Sequence, residues 1–218
     1  MSDMQNTGPK KSGFTLWSWT TLIMVLMAGC FAVQQVIIVH MEKPYDFYFG
    51  LNDYGMRNVL LWQVVTYQFL HFGWIHFVLN LVFVWFIGRA VEARFGGRFL
   101  LFIFFVPVVA GGVLQGGVAL VGSLLPSSMD QAAMFILNRF GESAGGASAG
   151  PLGLLAAFCL MQPPQWLSRA NGSRVLALAV IVALFLVLVP TTPKVAHLAH
   201  LGALLTGILI MRKKRHAE

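Results

Sequence analysis

Six apolar runs dominate this 218-residue chain, at roughly 14–38, 72–91, 99–122, 148–162, 175–190 and 194–211. The longer ones approach the ~20 residues that a membrane-spanning helix needs. Backbone inside a bilayer must satisfy its own hydrogen bonds, which helices do within one segment. The pattern therefore predicts an all-α, polytopic membrane protein with six transmembrane helices. Only 11% of residues are charged and 57% are hydrophobic, against about a quarter charged in soluble domains. Residues 1–13 read as a polar cytoplasmic N-terminal tail, 14–211 as the membrane domain and 212–218 as a basic cytoplasmic C-terminal tail.

The net charge of +7 does not point to nucleic acid, because the basic residues flank apolar runs instead of forming one face. An even number of crossings puts both termini on one side. Lys10, Lys11, Arg89, Arg94, Arg98, Arg169, Arg174 and Arg212–Arg215 fall on that side, whereas Lys43, Arg57, Arg139 and Lys194 fall on the other. Eleven against four fits cytoplasmic termini. Cys30 and Cys159 both lie inside apolar runs, so no disulfide framework is indicated. The first apolar run is long and lacks an Ala-x-Ala exit, so it is not expected to be a cleaved signal peptide. No internal repeat is evident.

Between the first two runs lies a long outer loop, Val39 to His71, rich in aromatic residues suited to the membrane interface. A connection of that length usually has a structure or function of its own.

The fourth run is the unusual one. It opens at Gly145-Gly146-Ala147-Ser148-Ala149-Gly150-Pro151 and stops at Gln162-Pro163-Pro164, where paired prolines end a helix. From Ser148 to Gln162 a helix rises about 21 Å, against a hydrocarbon core of about 30 Å. A helix too short to span leaves its serine about 9 Å below the outer surface. Pro151 suits a first helical turn, and the positive end of the helix dipole then points at Ser148. Small residues here also suit close helix packing, and the two uses are compatible.

The last run contains His197-Leu198-Ala199-His200, and histidines within a span are functional candidates. Counting from Lys194 and from Arg212 puts His200 about 9 Å and about 12 Å below the outer surface. Ala199, Ala203 and Gly207 form a small-residue stripe that lets this helix pack closely, with the Ser148 helix as the natural partner. Ser148 and His200 therefore form a candidate nucleophile and general base, with His197 second choice, one turn nearer the surface. The second run places His76 and Asn80 four residues apart on one helical face, about 10 Å and about 16 Å deep. Such side chains either donate to an oxyanion or tie helices together. No carboxylate is placed to complete a triad. Glu92 lies about 24 Å along the axis from His76, and Asp130 and Glu142 lie in an outer loop. The expected chemistry is that of a Ser-His dyad.

The chain resembles the rhomboid family of intramembrane serine proteases over nearly its whole length. The matching residues are His71-x4-His76-x3-Asn80, Gly88-Arg89-Ala90-Val91-Glu92-Ala93-Arg94-Phe95-Gly96, the Gly-x-Ser-x-Gly element Gly146–Gly150, and Ala199-His200-Leu201-Gly202-Ala203 with Gly207. Gly-x-Ser-x-Gly alone also occurs in soluble hydrolases, so the order and spacing of all four carry the resemblance. It implies a six-helix bundle of the basic bacterial form, with a short fourth helix carrying the serine. It also implies Ser148 as nucleophile, His200 as base, and an oxyanion site of His76, Asn80 and the Ser148 backbone N–H. His71 would be structural. Substrates would be transmembrane proteins entering from the bilayer near the fifth helix, cleaved without a cofactor or metal. One departure is Gly202-Ala203, where many members carry Gly-Gly; alanine keeps the stripe small. The implied location is a bacterial inner membrane, with the site opening outward. Alternatives are an inactive rhomboid-like protein that binds membrane clients, a metal-dependent hydrolase using His71, His76, His197 and His200, and a transporter. The metal reading lacks a His-Glu-x-x-His, and the transporter reading lacks a repeat.

Overall fold

The computed structural model describes residues 18–37, 45–124, 145, 148–161 and 197–217. Among them the elements are helical: α1 (Trp19–Ile37), α2 (Tyr45–Phe49), α3 (Asp53–Arg57), α4 (Gln63–Thr66), a 3-10 turn (Tyr67–Phe69), α5 (Trp74–Phe83), a π-helical turn (Val84–Gly88), α6 (Arg89–Phe95), α7 (Gly97–Leu124), α8 (Ala149–Leu160) and α9 (His197–Ala217). Three helical stretches are long and apolar enough to cross a membrane: Trp19–Ile37, Trp74–Phe95 and Gly97–Val121. The all-α, polytopic expectation holds. The fifth run, 175–190, with most of the outer loop before Ser148, lies outside the described residues.

Helix α1 buries Thr20, Ile23, Met27, Phe31 and Gln34, a stripe at helical spacing, and exposes Leu22, Val25, Leu26, Val33 and Val36. Apolar residues on the outward face are what a lipid-facing helix presents. Its N-terminus is closed twice. Ser18 Oγ accepts from Thr21 N–H at 3.1 Å, the ordinary N-cap contact. The Glu92 carboxylate accepts from Trp19 N–H at 2.9 Å, Thr20 N–H at 3.1 Å and Thr20 Oγ1 at 2.6 Å. Glu92, which the sequence excludes from a catalytic triad, thus ties α1 to α6.

The stretch Trp74–Phe95 starts after Gly73, whose φ of 144° is open to glycine, and ends at Gly96, φ 84°. Its π-helical turn sets Gly88 against Thr20 of α1, where a Cβ would lie 3.0 Å from Thr20 Cγ2. The long connection after α1 folds into α2, α3, α4 and the 3-10 turn; Asn52 caps α3 by accepting from Gly55 N–H at 2.7 Å.

Helices α7, α8 and α9 pack on one another as the inner group. Pro107 lies inside α7 and removes the donor that would have bonded the Ile103 carbonyl. Helix α8 approaches there: a Cβ on Gly153 would fall 2.5 Å from Ile103 O. Gly207 of α9 presses equally closely on α8, 2.8 Å from Ala156 Cβ at its own would-be Cβ. Ala199 backs onto Gly111 of α7, and both Ala199 and Ala203 are fully buried. The small-residue stripe thus faces two neighbours, α7 at its top and α8 lower down.

Boundaries differ from the apolar runs mainly at the end. Helix α9 continues through Arg212–Arg215 to Ala217, so the basic segment 212–218 is helical over most of its length. Lysine and arginine are good helix formers and favour a helix C-terminus. Lys214 Nζ sits 5.2 Å from the rings of both Phe95 and Phe99.

Candidate active site

Helix α8 begins on Ser148, whose carbonyl accepts from Leu152 N–H at 2.9 Å. Ser148 holds the N-cap position, yet its hydroxyl makes no capping bond. It pairs instead with His200 Nε2. Ser148 is fully buried and His200 half-buried. Ala149, next to Ser148, and Ala199, next to His200, belong to one buried apolar cluster with Leu152 of α8, Val108 of α7, Ala203 of α9, and Leu51, Val64 and Tyr67 from the segment before α5. This apolar jacket keeps the pair in a low-dielectric setting, where the hydrogen bond is stronger than in water.

The flanking glycine of the Gly-x-Ser-x-Gly element has a steric reason. A Cβ at Gly150 would lie 2.5 Å from Phe104 Cζ, so a side chain there requires the Phe104 ring of α7 or the helix itself to move. Gly145 lies equally close to Phe72 and Leu70. Gly146 lies outside the described residues. Of His197, only its place at the start of α9 is described.

His71 is held from several directions. Its backbone N–H and carbonyl exchange hydrogen bonds with the Gln34 amide of α1, at 3.1 and 2.7 Å, and its Nδ1 meets the Phe69 carbonyl at 3.1 Å. Phe31 and Phe77 enclose its ring edge-on. Burial pushes this imidazole well below its ordinary pKa, and His76 adds to the shift, against a smaller opposing effect of the Phe69 carbonyl. His71 is therefore neutral.

His76 and Asn80 share the inner face of α5, as their spacing predicts. Asn80 is fully buried and its Nδ2 donates to the His76 carbonyl at 2.8 Å. His76 Nε2 and Asn80 Oδ1 are buried without a hydrogen-bond partner among the described residues. Neither is hydrogen-bonded to Ser148 in this state. The Phe72 ring stacks on His76 at 6.4 Å, and a Cβ on Gly145 would lie 2.6 Å from its Cζ. Buried polar atoms without partners are uncommon in native structures; Gln63 Oε1 and His71 Nε2 are two more among the described residues.

Two further residues contact the site-bearing helices. Gln68 Oε1 accepts from Gly150 N–H at 2.9 Å. Gln115 Oε1 accepts from Leu198 and Ala199 N–H at 3.0 and 3.3 Å. Sequence reasoning passed over both, although a glutamine within an apolar run such as 99–122 signals a polar group that must find a partner. Among the described residues no three of His, Cys, Asp and Glu converge as metal ligands would.

The rhomboid-domain profile matches residues 59–215, nearly all of the helices that carry these side chains. The chain belongs to the rhomboid family. It is 28% identical over 159 residues to rhomboid-like protease 3 of Toxoplasma gondii, covering 72% of this chain and 53% of that protein. It is also 28% identical over 101 residues to rhomboid protease GlpG of Salmonella choleraesuis (strain SC-B67), covering 45% of this chain and 34% of the relative. The chain thus spans about half or less of the length of these relatives. Family membership and the apolar spans make this rhomboid an integral membrane protein of helical build.

Proposed function

We propose that this rhomboid protein is an intramembrane serine endopeptidase acting on transmembrane proteins. The observation that carries the proposal is the hydrogen bond between Ser148 Oγ and His200 Nε2, formed inside an apolar jacket at the start of the short helix α8. Both relatives named above are called proteases, which supports the same reading.

In the proposed reaction Ser148 Oγ attacks the scissile carbonyl while His200 Nε2 takes its proton. His76 Nε2–H, the Asn80 amide and the Ser148 backbone N–H receive the negative charge that develops on the carbonyl oxygen. His200 then protonates the leaving amine, and an ester to Ser148 remains. Water, activated by His200 in turn, hydrolyses that ester and restores the serine. No cofactor enters the scheme. The proposed setting is a bacterial inner membrane with both termini cytoplasmic and the site opening outward, an orientation supported by the bias of basic residues toward one side.

Purified protein in micelles is expected to cleave a transmembrane reporter and to react with a fluorophosphonate. Ser148→Ala is expected to do neither while keeping its thermal transition. Full cleavage by Ser148→Ala would sink the proposal. An unmodified protein that binds a transmembrane segment but neither cuts it nor takes the probe would favour the inactive, client-binding alternative.

A further inference from the structure

We infer that Gln68 is a positioning residue for Ser148: it replaces the serine as the cap of helix α8 and so leaves the hydroxyl to His200. The inference rests on the proposed dyad chemistry.

A serine at the N-cap ordinarily turns its oxygen back over the helix to accept from the N–H of the second or third residue. In α8 those residues are Gly150 and Pro151. Pro151 has no N–H to offer. The one donor left to such a cap is Gly150 N–H, and Gln68 Oε1 occupies it at 2.9 Å. With both local donors removed, Ser148 Oγ has no backbone competitor, and it makes no capping bond. Its hydroxyl points to His200 instead.

Gln68 is placed to do this. It is fully buried and stands in the 3-10 turn Tyr67–Phe69, anchored on one side by the Tyr67 hydroxyl, which donates to the Val108 carbonyl of α7 at 2.8 Å. On the other side the turn runs into His71, held by Gln34. The amide therefore reaches α8 from a fixed platform. A cap from outside the helix satisfies the first-turn donor at no expense to the serine rotamer. Without it, Gly150 N–H becomes a buried donor lacking a partner, and the nearest remedy is the standard serine cap, which turns Oγ away from the histidine. Misplacing a reacting atom by about 1 Å is enough to slow a reaction on the order of 100-fold.

The test compares Gln68→Met, Gln68→Ala and Gln68→Glu. Methionine fills the space without an acceptor, alanine leaves room, and glutamate restores an acceptor oxygen at a position that the helix dipole favours. Two readouts are taken on protein in nanodiscs: the 15N resonance of His200 Nε2, assigned by its loss in His200→Ala, and the rates of fluorophosphonate labelling and reporter cleavage. The methionine and alanine variants are expected to shift the His200 resonance and lower kcat about tenfold or more with KM little changed, and glutamate to recover most of both. A His200 resonance unmoved in the methionine and alanine variants, or a glutamate variant as impaired as methionine, overturns the inference. So does a methionine and alanine pair that fails to fold while glutamate folds, because Gln68 is then only a strut. Should unmodified protein ignore the probe while its His200 resonance still responds to Gln68, the protease proposal fails and the positioning contact stands.

Discussion

Ser148 Oγ and His200 Nε2 meet across 52 residues of sequence, each at the start of its own helix. Both helices have first-turn N–H groups held by a glutamine from elsewhere, Gln68 for α8 and Gln115 for α9. The pair is thus fixed by its helix ends and by the small-residue contacts between α7, α8 and α9. Each of these supports can be removed singly.

Asn80 separates chemistry from packing. Its Nδ2 is engaged with the His76 carbonyl and its Oδ1 has no partner among the described residues. If the amide turns to a developing oxyanion, Asn80→Ala lowers kcat by about 100-fold, the scale of one lost oxyanion donor, with KM and membrane insertion unchanged. Reporter cleavage with a substrate titration checks this. An unaltered kcat would make Asn80 a helix tie and remove it from the oxyanion assignment.

Gly207 tests whether helix contact transmits to the site. Its would-be Cβ lies 2.8 Å from Ala156 Cβ and 3.1 Å from the Gly153 carbonyl, so valine must push α9 from α8. Gly207→Val is expected to cost about 1–3 kcal/mol, the usual range for overpacking. Fluorophosphonate labelling should slow as well, because α9 carries His200. A thermal melt and a labelling time course on the same preparation measure both. Loss of stability with an unchanged labelling rate would show that the site tolerates the displacement.

Much of this was legible in the sequence because bilayer depth and helix rise are arithmetic. The short fourth run, bounded by Ser148 and the Pro163-Pro164 pair, gave a depth, and His200 and His76 reached a similar one when counted from charged residues. Polar atoms in apolar runs also declare that they need partners. They do not declare which. Gln68 and Gln115 find backbone N–H groups 82 and 83 residues away, and Glu92 finds the N-terminus of α1 across 72 residues. Such contacts depend on the rotation of each helix about its axis, which hydropathy does not fix. Helix α9 outruns the last apolar run for a simpler reason. Hydropathy stops at Met211, whereas helical hydrogen bonding continues through lysine and arginine to Ala217.

Glu92 bears on stability alone. Its carboxylate satisfies two backbone donors and the Thr20 hydroxyl at the start of α1. Glu92→Ala leaves those donors to water and is expected to cost about 1–2 kcal/mol, the scale of a lost helix cap. Its thermal midpoint in detergent should fall while the labelling rate of the remaining folded protein stays the same. A selective loss of labelling would instead tie α1 docking to the site.

His71 gives the protein an acid limit. Folding buries the imidazole and lowers its pKa from the ordinary 6.5, so the unfolded chain binds a proton that the folded one refuses. Linkage then fixes the sign: stability from this group is complete above about pH 6.5 and declines as pH falls below it. The His76 ring lies 5.5 Å away between centroids, and its own protonation would only oppose that of His71. Thermal midpoints measured from pH 7.5 down to about pH 4.5 should therefore fall steadily below pH 6.5. His71→Asn cannot titrate, so its curve should be flatter over that interval even though its midpoint at neutral pH is lower. Parallel curves for the two proteins would show that other groups set the acid limit.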